Sequence, residues 1–259
     1  DLSSRSGRLV INGGRFLVPN GVSQISVDTA ASTGTQELFL NGGVWSVKKI
    51  AIGSAPDVAR NIYWNGGVLQ GTNVAAGAEL IDGASNAVFK VRAGGAVIDS
   101  GAYSFSLTAN LTEDGTSPGG GLVKLGSGTL TLGGASTYTG DTVVSNGALR
   151  LAGTLAATNL VVAPGASFSM ADGAISTFAP GTLSIGSASL ASGLTLEVAA
   201  SGNGCDTFAV PAGASFQKVA VTLNQLGTAN PVVREGDFPI LTFSGAAPSA
   251  GWLTWGNPV

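Results

Sequence analysis

A short cassette returns along this chain: an apolar residue, then Asn-Gly-Gly, then alternating apolar residues. Three full copies occupy residues 11–18, 40–47 and 64–70. The second glycines of successive copies, with the degenerate copy near residue 95, are Gly14, Gly43, Gly67 and Gly95, so the steps are 29, 24 and 28 residues. Further degenerate copies contain Gly147, Gly165 and Gly213. A cassette that returns once per 18–29 residues is typical of one coil of a parallel β-helix.

Asn-Gly between apolar runs has two structural interpretations. It is a strong signal for a two-residue hairpin turn, which would give a sandwich or a barrel. It also suits a solenoid corner, where glycine supplies a positive φ as the chain bends toward the next face. Hairpin arrays repeat their turn signals every 8–12 residues and have no longer period, so the spacing favours the solenoid. Runs such as 8–11, 36–40 and 129–132 have the length and residue types of strands, and helical periodicity is nearly absent. We therefore predict an all-β fold.

Composition excludes several classes of site. The chain has 40 glycines among 259 residues, a net charge of −3, one cysteine and no histidine. Without histidine there is no Ser-His-Asp or Cys-His nucleophile and no His-ligated metal. Cys205 alone excludes an internal disulfide and a multi-cysteine metal site. The weak negative charge argues against nucleic acid or anionic membranes as partners.

No uninterrupted apolar run is long enough to form a membrane-spanning helix. The chain starts at Asp1 without a leader, and we interpret it as a processed or excised piece. We predict no cofactor and no metal.

The centre of the sequence carries a longer motif. Residues 119–151 contain Lys124, Gly128-Thr129-Leu130, Tyr138-Thr139-Gly140 and Gly147-Ala148-Leu149 in one fixed spacing. This pattern closely resembles the autotransporter-associated β-strand repeat, also called the passenger-associated transport repeat. It departs from the family at Ser136, where asparagine is usual. Residues 206–210 and 236–241 also resemble C-terminal strands of such passengers.

The resemblance implies a right-handed, single-stranded parallel β-helix that is exported and lies outside the cell or on a bacterial cell surface. It implies no activity. We divide the expected solenoid into irregular Gly-rich rungs over 1–115, the repeat rungs over 116–152, C-terminal rungs over 153–235 and a capping segment over 236–259. The repeat register predicts buried side chains at Leu130, Leu132, Val143, Leu149 and Leu151.

Some β-helices cleave acidic polysaccharides, and that chemistry needs carboxylates converging on one face. The candidate carboxylates are Glu113, Asp114, Asp141, Asp172, Asp206, Glu235 and Asp237. Glu113 and Asp114 point to opposite faces if the backbone there is extended. Glu235 and Asp237 share one side of a strand, yet they lie within the segment that resembles a passenger strand. We therefore predict no catalytic residue.

Aromatic side chains are the second type of candidate, because exposed rings stack on sugars. They are Trp45, Tyr63, Trp64, Trp252 and Trp255. Trp45 and Phe16 occupy equivalent cassette positions, which favours an internal stack over a sugar platform. Cys205 lies in a turn sequence with no nearby base, so a nucleophilic role is not expected.

The sequence thus predicts a non-catalytic, extracellular structural or adhesive β-helix segment, with polysaccharide binding or processing as the alternative. Its expected partners are other copies of itself, end to end, or surface glycans. An end-to-end contact would bring Trp252 and Trp255 against Leu9 and Ile11 of the next subunit.

Overall fold

The computed structural model describes residues 6–25, 34–55, 57–156, 159–202, 204–228, 239–245 and 252–255. Within these ranges the chain forms 26 β-strands and one short 3-10 turn, Ala84–Asn86, and no α-helix. The all-β prediction is confirmed.

The chain divides into two compact units, Asp1–Gly140 with Gly153–Ala156, and Asp141–Ala152 with Ala157–Val259. The strands of the first unit are β1 Gly7–Ile25, β2 Gly34–Ile52, β3 Val58–Trp64, β4 Val68–Gly71, β5 Ala78–Glu79, β6 Ile81–Asp82, β7 Val88–Val91, β8 Ala96–Asp99, β9 Phe105–Leu107, β10 Leu111–Glu113, β11 Leu122–Leu125, β12 Thr129–Leu132, β13 Ala135–Ser136 and β16 Thr154–Leu155. Those of the second unit are β14 Thr142–Val144, β15 Ala148–Leu151, β17 Leu160–Val162, β18 Ser167–Ser169, β19 Thr177–Phe178, β20 Leu183–Ile185, β21 Ser192–Val198, β22 Thr207–Val210, β23 Ser215–Phe216, β24 Val219–Gln225, β25 Leu241–Phe243 and β26 Leu253–Trp255.

In the first unit, β2 shows how one coil is built. It pairs in parallel with three strands of the next coil, first β3, then β4, then β6. On its other side it pairs with β1 over nearly its whole length. Because β2 meets three separate strands, it bends twice and forms three faces of one coil.

The second unit has the same arrangement. Strands β14, β17, β20 and β23 form one parallel sheet, and β15, β18, β21, β24 and β26 form another. A third sheet consists of β19, β22 and β25. Successive coils add one strand to each sheet, so the predicted parallel β-helix solenoid is confirmed.

The cassette forms the corners between faces. Asn41 donates its side-chain N–H to Asn12 Oδ1 at 2.9 Å, and Asn65 donates to Asn41 Oδ1 at 3.5 Å. The strands on either side of each corner pair with neighbouring coils and not with each other. Gly14 and Gly43 have φ values of 70° and 71°, which an L side chain rarely adopts. The Asn-Gly-Gly segments are therefore stacked corners and not hairpin turns.

Alternate residues of each strand point into the interior. Leu130, Leu132, Leu149 and Leu151 are buried as predicted, each within its own unit. The prediction for Val143 is wrong, because that side chain is only partly buried. Its neighbours Thr142 and Val144 point inward and pair in register with Leu160 and Val162, which are also buried. The inward-facing residues of β14 are therefore one position away from the residue that was predicted to be buried.

The described parts of the predicted cap continue the solenoid. β25 pairs in parallel with β22, and β26 with β24. Trp252 packs against Phe216 and Phe243, with ring centroids 4.8 and 5.7 Å away. The rest of the segment, including Gly236 to Phe238, lies outside the described residues, and the four sequence segments stay predictions.

The two adjacent valines of β14 give a matched test of this register. We expect Val144→Ala to lower the free energy of unfolding by about 2 kcal/mol, because it removes buried methyl groups and leaves a cavity. Val143→Ala should change it by a few tenths of a kcal/mol, as is usual at partly exposed positions. Chemical denaturation of both variants measures the difference, and equal losses would contradict the register.

Candidate functional site

Two predicted carboxylates of the first unit, Glu113 and Asp114, are engaged by neighbouring turns. Asp114 is 2% exposed, and its Oδ2 accepts a hydrogen bond from Arg92 Nε at 2.7 Å. Its Oδ1 accepts from the backbone N–H and the hydroxyl of Thr116 at 3.1 and 2.9 Å. Glu113 Oε1 accepts from Gly119 N at 2.8 Å and from the Thr139 hydroxyl. Both carboxylates thus hold turns together.

The hydrogen bonds keep these two groups ionised. Those from Thr139 and then Gly119 lower the pKa of Glu113. Burial acts to raise the pKa of Asp114, but the hydrogen bonds from Thr116 and the ion pair with Arg92 outweigh it, so the pKa is lowered. A general acid for glycoside cleavage needs a raised pKa instead.

The aromatic candidate Tyr63 is engaged by neighbouring side chains. Tyr63 stacks on Phe39 at 4.4 Å between ring centroids, and the Arg92 guanidinium lies 4.4 Å from the Tyr63 centroid. Lys90 Nζ lies 5.6 Å from the same ring. Such cation–π contacts stabilise the cluster from within.

The tryptophans differ in burial. Trp45 and Trp64 are buried, and Trp45 lies 6.2 Å from Phe16, its register partner in the preceding coil. Trp252 packs on two phenylalanines, whereas Trp255 is 55% exposed. Of the five predicted aromatic residues, only Trp255 presents a largely exposed side chain.

In the second unit the fold brings Asp172 and Asp206 close to Glu197, a residue that the sequence analysis missed. Glu197 is buried on β21, and its two carboxylate oxygens accept from Gly173 N at 2.6 Å and Gly227 N at 2.8 Å. Gly173 precedes Glu197 by 24 residues and Gly227 follows it by 30. Glu197 therefore ties together three successive coils. A lone acid in an apolar strand, with glycine turns one period away on each side, is the signal that could have identified it.

Asp206 is fully buried beside Glu197. Its Oδ2 accepts from Glu197 N at 2.7 Å, and its Oδ1 accepts from Ser176 N at 2.9 Å. Burial raises its pKa to about 6, although these hydrogen bonds act in the opposite direction and the nearby Glu197 and Asp172 charges add to the rise. Asp172 accepts from Ala174 N at 2.8 Å.

The remaining acidic candidates do not join this group. Asp141 accepts a hydrogen bond from Asn159 Nδ2 at 2.7 Å. Glu235 and Asp237 lie outside the described residues. Across the described part of the chain, no three His, Cys, Asp or Glu side chains are arranged to hold a metal ion.

Cys205 is buried, and burial, with the adjacent Asp206 charge, raises the pKa of its thiol. A raised pKa leaves less thiolate, so the environment does not activate this cysteine as a nucleophile. No described helix is long and apolar enough to cross a membrane.

Lys124, the lysine of the repeat motif, points into the interior of the first unit. It is fully buried and pairs in register with Ile98. Its Nζ donates to the carbonyl oxygens of Leu125 at 2.9 Å and Gly126 at 2.7 Å. Burial lowers its pKa to about 8, and the Asp99 charge acts in the opposite direction. The motif lysine therefore secures the corner after β11 from the inside.

Arg60 is a second cation on the inner side of the first unit. It is buried on β3, and its Nη1 donates to the carbonyls of Ala55 and Val58 at 3.2 and 3.1 Å. Among the described residues, its Nε and Nη2 have no hydrogen-bond partner.

The raised pKa of Asp206 gives a pH-dependent contribution to stability. The folded state holds the proton up to about pH 6, whereas an unfolded aspartate releases it near 3.8. The contribution is therefore complete below about pH 4 and is lost as the pH rises through 6.

Relative to Asp206→Asn, the wild-type unfolding free energy should fall over this range. Denaturant unfolding at several pH values measures it, with Asp141→Asn as the control for removing an acid from the same unit. A constant wild-type-to-variant difference would contradict the assignment.

Lys124 should make the free energy of unfolding rise with pH, in a higher pH range than the one in which Asp206 makes it fall. Its folded pKa is about 8 and the ordinary value is 10.5, so the unfolded state binds more protons between these values. Wild-type stability relative to Lys124→Met is expected to rise from pH 8 to 10.5, because the buried amine becomes neutral. Lys48→Met, at an exposed lysine of the same unit, is the control. Parallel pH profiles for wild type and Lys124→Met would show that the amine is not desolvated.

Comparison with curated proteins and with solved structures gave no significant match. Comparison with protein families gave one. Residues 122–151, which run from the start of β11 to the end of β15, match the Passenger-associated-transport-repeat family. The resemblance noted in the sequence is confirmed, and the chain carries a passenger-associated transport repeat on a parallel β-solenoid.

Proposed function

We propose that this chain is a non-catalytic structural or adhesive segment of a secreted or surface-displayed bacterial passenger protein. The proposal rests on one observation, which is that the buried carboxylates are hydrogen-bonded to the backbone. Asp114, Glu197 and Asp206 are each buried and accept hydrogen bonds from backbone N–H groups. Within each unit they stabilise turns.

Polysaccharide cleavage would need a different geometry. Glycosidases place two carboxyl groups roughly 5–10 Å apart on either side of an accessible bond. Here Asp172, Glu197 and Asp206 lie close together, and Glu197 and Asp206 are buried. A groove of about 510 Å³ runs over this region, and Glu197 reaches its lining with both oxygens already engaged. The groove offers polar surface without an available acid–base pair.

A structural role also agrees with how the coils are joined. The described residues contain three ion pairs, and only Arg92–Asp114 is substantially buried. Cohesion comes from parallel backbone ladders and apolar side chains, which depend little on salt. Such a segment keeps its form in media of variable ionic strength, as a display outside the cell requires.

The proposal is tested by enzymology on the purified chain. Incubation with a panel of neutral and acidic polysaccharides should release neither reducing ends nor unsaturated products, because the buried acids Asp114, Glu197 and Asp206 accept hydrogen bonds from neighbouring turns. Asp114→Asn and Asp172→Asn are the matched variants. An activity that either substitution abolishes would overturn the assignment.

Antibodies raised against the same chain test its location. They should label intact cells of the source bacterium or its culture medium. Labelling that requires permeabilised cells would contradict an extracellular role.

A further inference from the structure

Arg60 is a buried cation whose hydrogen-bonding capacity is only partly used within the first unit. It is 3% exposed, and its Nη1 donates to the carbonyls of Ala55 and Val58 at 3.2 and 3.1 Å. Among the described residues, Nε and Nη2 have no partner, and no ion pair includes Arg60. Burial of a charge is costly unless an opposite charge and hydrogen bonds compensate for it. This corner therefore offers a positive charge and several N–H donors to an anionic group.

Arg92, in the same unit, shows how the fold compensates another arginine. Its Nε donates to Asp114 Oδ2 at 2.7 Å, and its guanidinium lies over the rings of Phe39 and Tyr63. No described carboxylate or aromatic ring makes such a contact with Arg60. Arg92 is thus used within the fold, whereas Arg60 retains bonding capacity for a molecule from outside.

The two unpartnered nitrogens of Arg60 form one edge of its guanidinium group. Nε and Nη2 direct parallel N–H groups along this edge, and such a pair matches the two oxygens of a carboxylate. The two carbonyls bonded to Nη1 hold the plane of the group in place. A donor pair that is held in advance loses less entropy when a ligand binds. A carboxylate therefore fits this edge with two charge-assisted hydrogen bonds.

Arg60 also lines a groove on the first unit, which we call the Arg60 groove. Its volume is about 340 Å³, and its lining consists of residues 54–55 and 58–61 of one corner and residues 85–88 of the next. The two carbonyls that hold Nη1 belong to lining residues, so the guanidinium lies beside the groove. Among the described lining residues Arg60 is the only charged one, so no carboxylate of the lining opposes an anion. The volume is at the lower end of the range for small-molecule sites, roughly 300–1,000 Å³, which suits a single sugar ring.

The remaining side chains of the groove suit a ligand with hydroxyl groups. Ser54, Ser85 and Asn86 are exposed in it, and Asn61 is partly buried. Hydroxyl and amide side chains both donate and accept hydrogen bonds, as the hydroxyl groups of a sugar do. Val88, 48% exposed, provides an apolar contact for the C–H groups of a ring. A few polar groups beside apolar surface are typical of a small-molecule site.

We propose that the Arg60 groove binds a uronate, an acidic sugar residue whose charge is a carboxylate. The carboxylate accepts from Nε and Nη2 of Arg60, and the sugar hydroxyl groups bond to the serine and asparagine side chains of the lining. The inference rests on the proposed adhesive role and names the class of ligand. Binding of this kind breaks no bond and transfers no proton, so it is compatible with a non-catalytic segment.

Titration calorimetry of the purified chain with free monosaccharides tests the ligand class. Glucuronate or galacturonate should bind saturably, and the neutral sugars glucose and galactose should bind at least about tenfold more weakly, because they lack the two charge-assisted hydrogen bonds. Acetate should also bind more weakly, because it lacks the hydroxyl groups. The absence of saturable binding of either uronate overturns the proposal. Equal affinity for the neutral sugars would overturn the carboxylate contact, and equal affinity for acetate would overturn the sugar assignment.

Variants of the groove test the position of the ligand. Arg60→Met and Arg60→Lys should each weaken uronate binding at least about tenfold, because neither side chain has the parallel pair of donors. Arg15→Met, at an exposed arginine of the same unit outside the groove lining, is the control and should bind like wild type. Arg60 variants that bind like wild type would overturn the proposal.

Ala59→Phe provides the same test with Arg60 intact, in case loss of the Nη1 hydrogen bonds unfolds the Arg60 variants. Ala59 is exposed and lines the groove, so a larger side chain there occupies the space of the sugar ring. Uronate binding should again fall at least about tenfold, with the circular dichroism spectrum unchanged. Unaltered affinity would place the sugar elsewhere and overturn the proposal.

Asp28→Asn tests for a counter-ion within the chain, because that acid lies outside the described residues. Uronate binding that appears only in this variant would show that the Asp28 carboxylate pairs with Arg60, and would overturn the proposal. A free monosaccharide has no glycosidic bond to cleave. The binding results are therefore independent of the polysaccharide-cleavage and cell-labelling results that test the proposed function.

Discussion

The structure depends on the close approach of backbones at the corners of the coils. Strands of neighbouring coils lie roughly 4.8 Å apart, and the corners that join them must keep the same spacing. At that distance a single Cβ can collide with the coil before: a Cβ on Gly42 would lie 2.7 Å from the carbonyl oxygen of Asn12, and one on Gly94 would lie 2.6 Å from the carbonyl carbon of Asn65. Close stacking is therefore one reason for the high glycine content. Positive φ values at turns such as Gly77 and Gly213 are another.

Once the ladders are fixed, polar side chains act mainly between coils. Ser46 donates to Gln70 at 2.7 Å, and Gln70 donates to Asp99 at 2.8 Å, so three coils share one line of hydrogen bonds. Glu197 does the same with two backbone N–H groups. A side chain that is hydrogen-bonded to the coils above and below is held in one position between them. These polar contacts therefore add to the cohesion of the rungs.

The sequence predicted the features that repeat with the coil. The spacing of Asn-Gly-Gly identified stacked corners, and the motif around Lys124 identified the passenger-associated transport repeat. Inside and outside positions were less certain, because a three-residue strand such as β14 carries too little alternation to fix its register, and Val143 was assigned to the wrong side. Arg60 and Lys124 were missed as interior residues since charged side chains are normally exposed. Backbone carbonyls at the neighbouring corners accept hydrogen bonds from these side chains, and only the three-dimensional path of the chain reveals this.

The direction of the corner glycines also has an evolutionary consequence. Because the missing side chains of Gly42, Gly94 and Gly140 would lie over the coil before, the residues permitted at these corners depend on a corner 20–30 positions earlier. Neighbours in sequence have little influence on that choice. Substitutions should therefore be inherited in pairs one coil apart, and a coil can be duplicated or lost as a whole only where the corners newly brought together are compatible. In such a solenoid, residues that meet across two neighbouring coils change together during evolution, and a single repeat does not change independently.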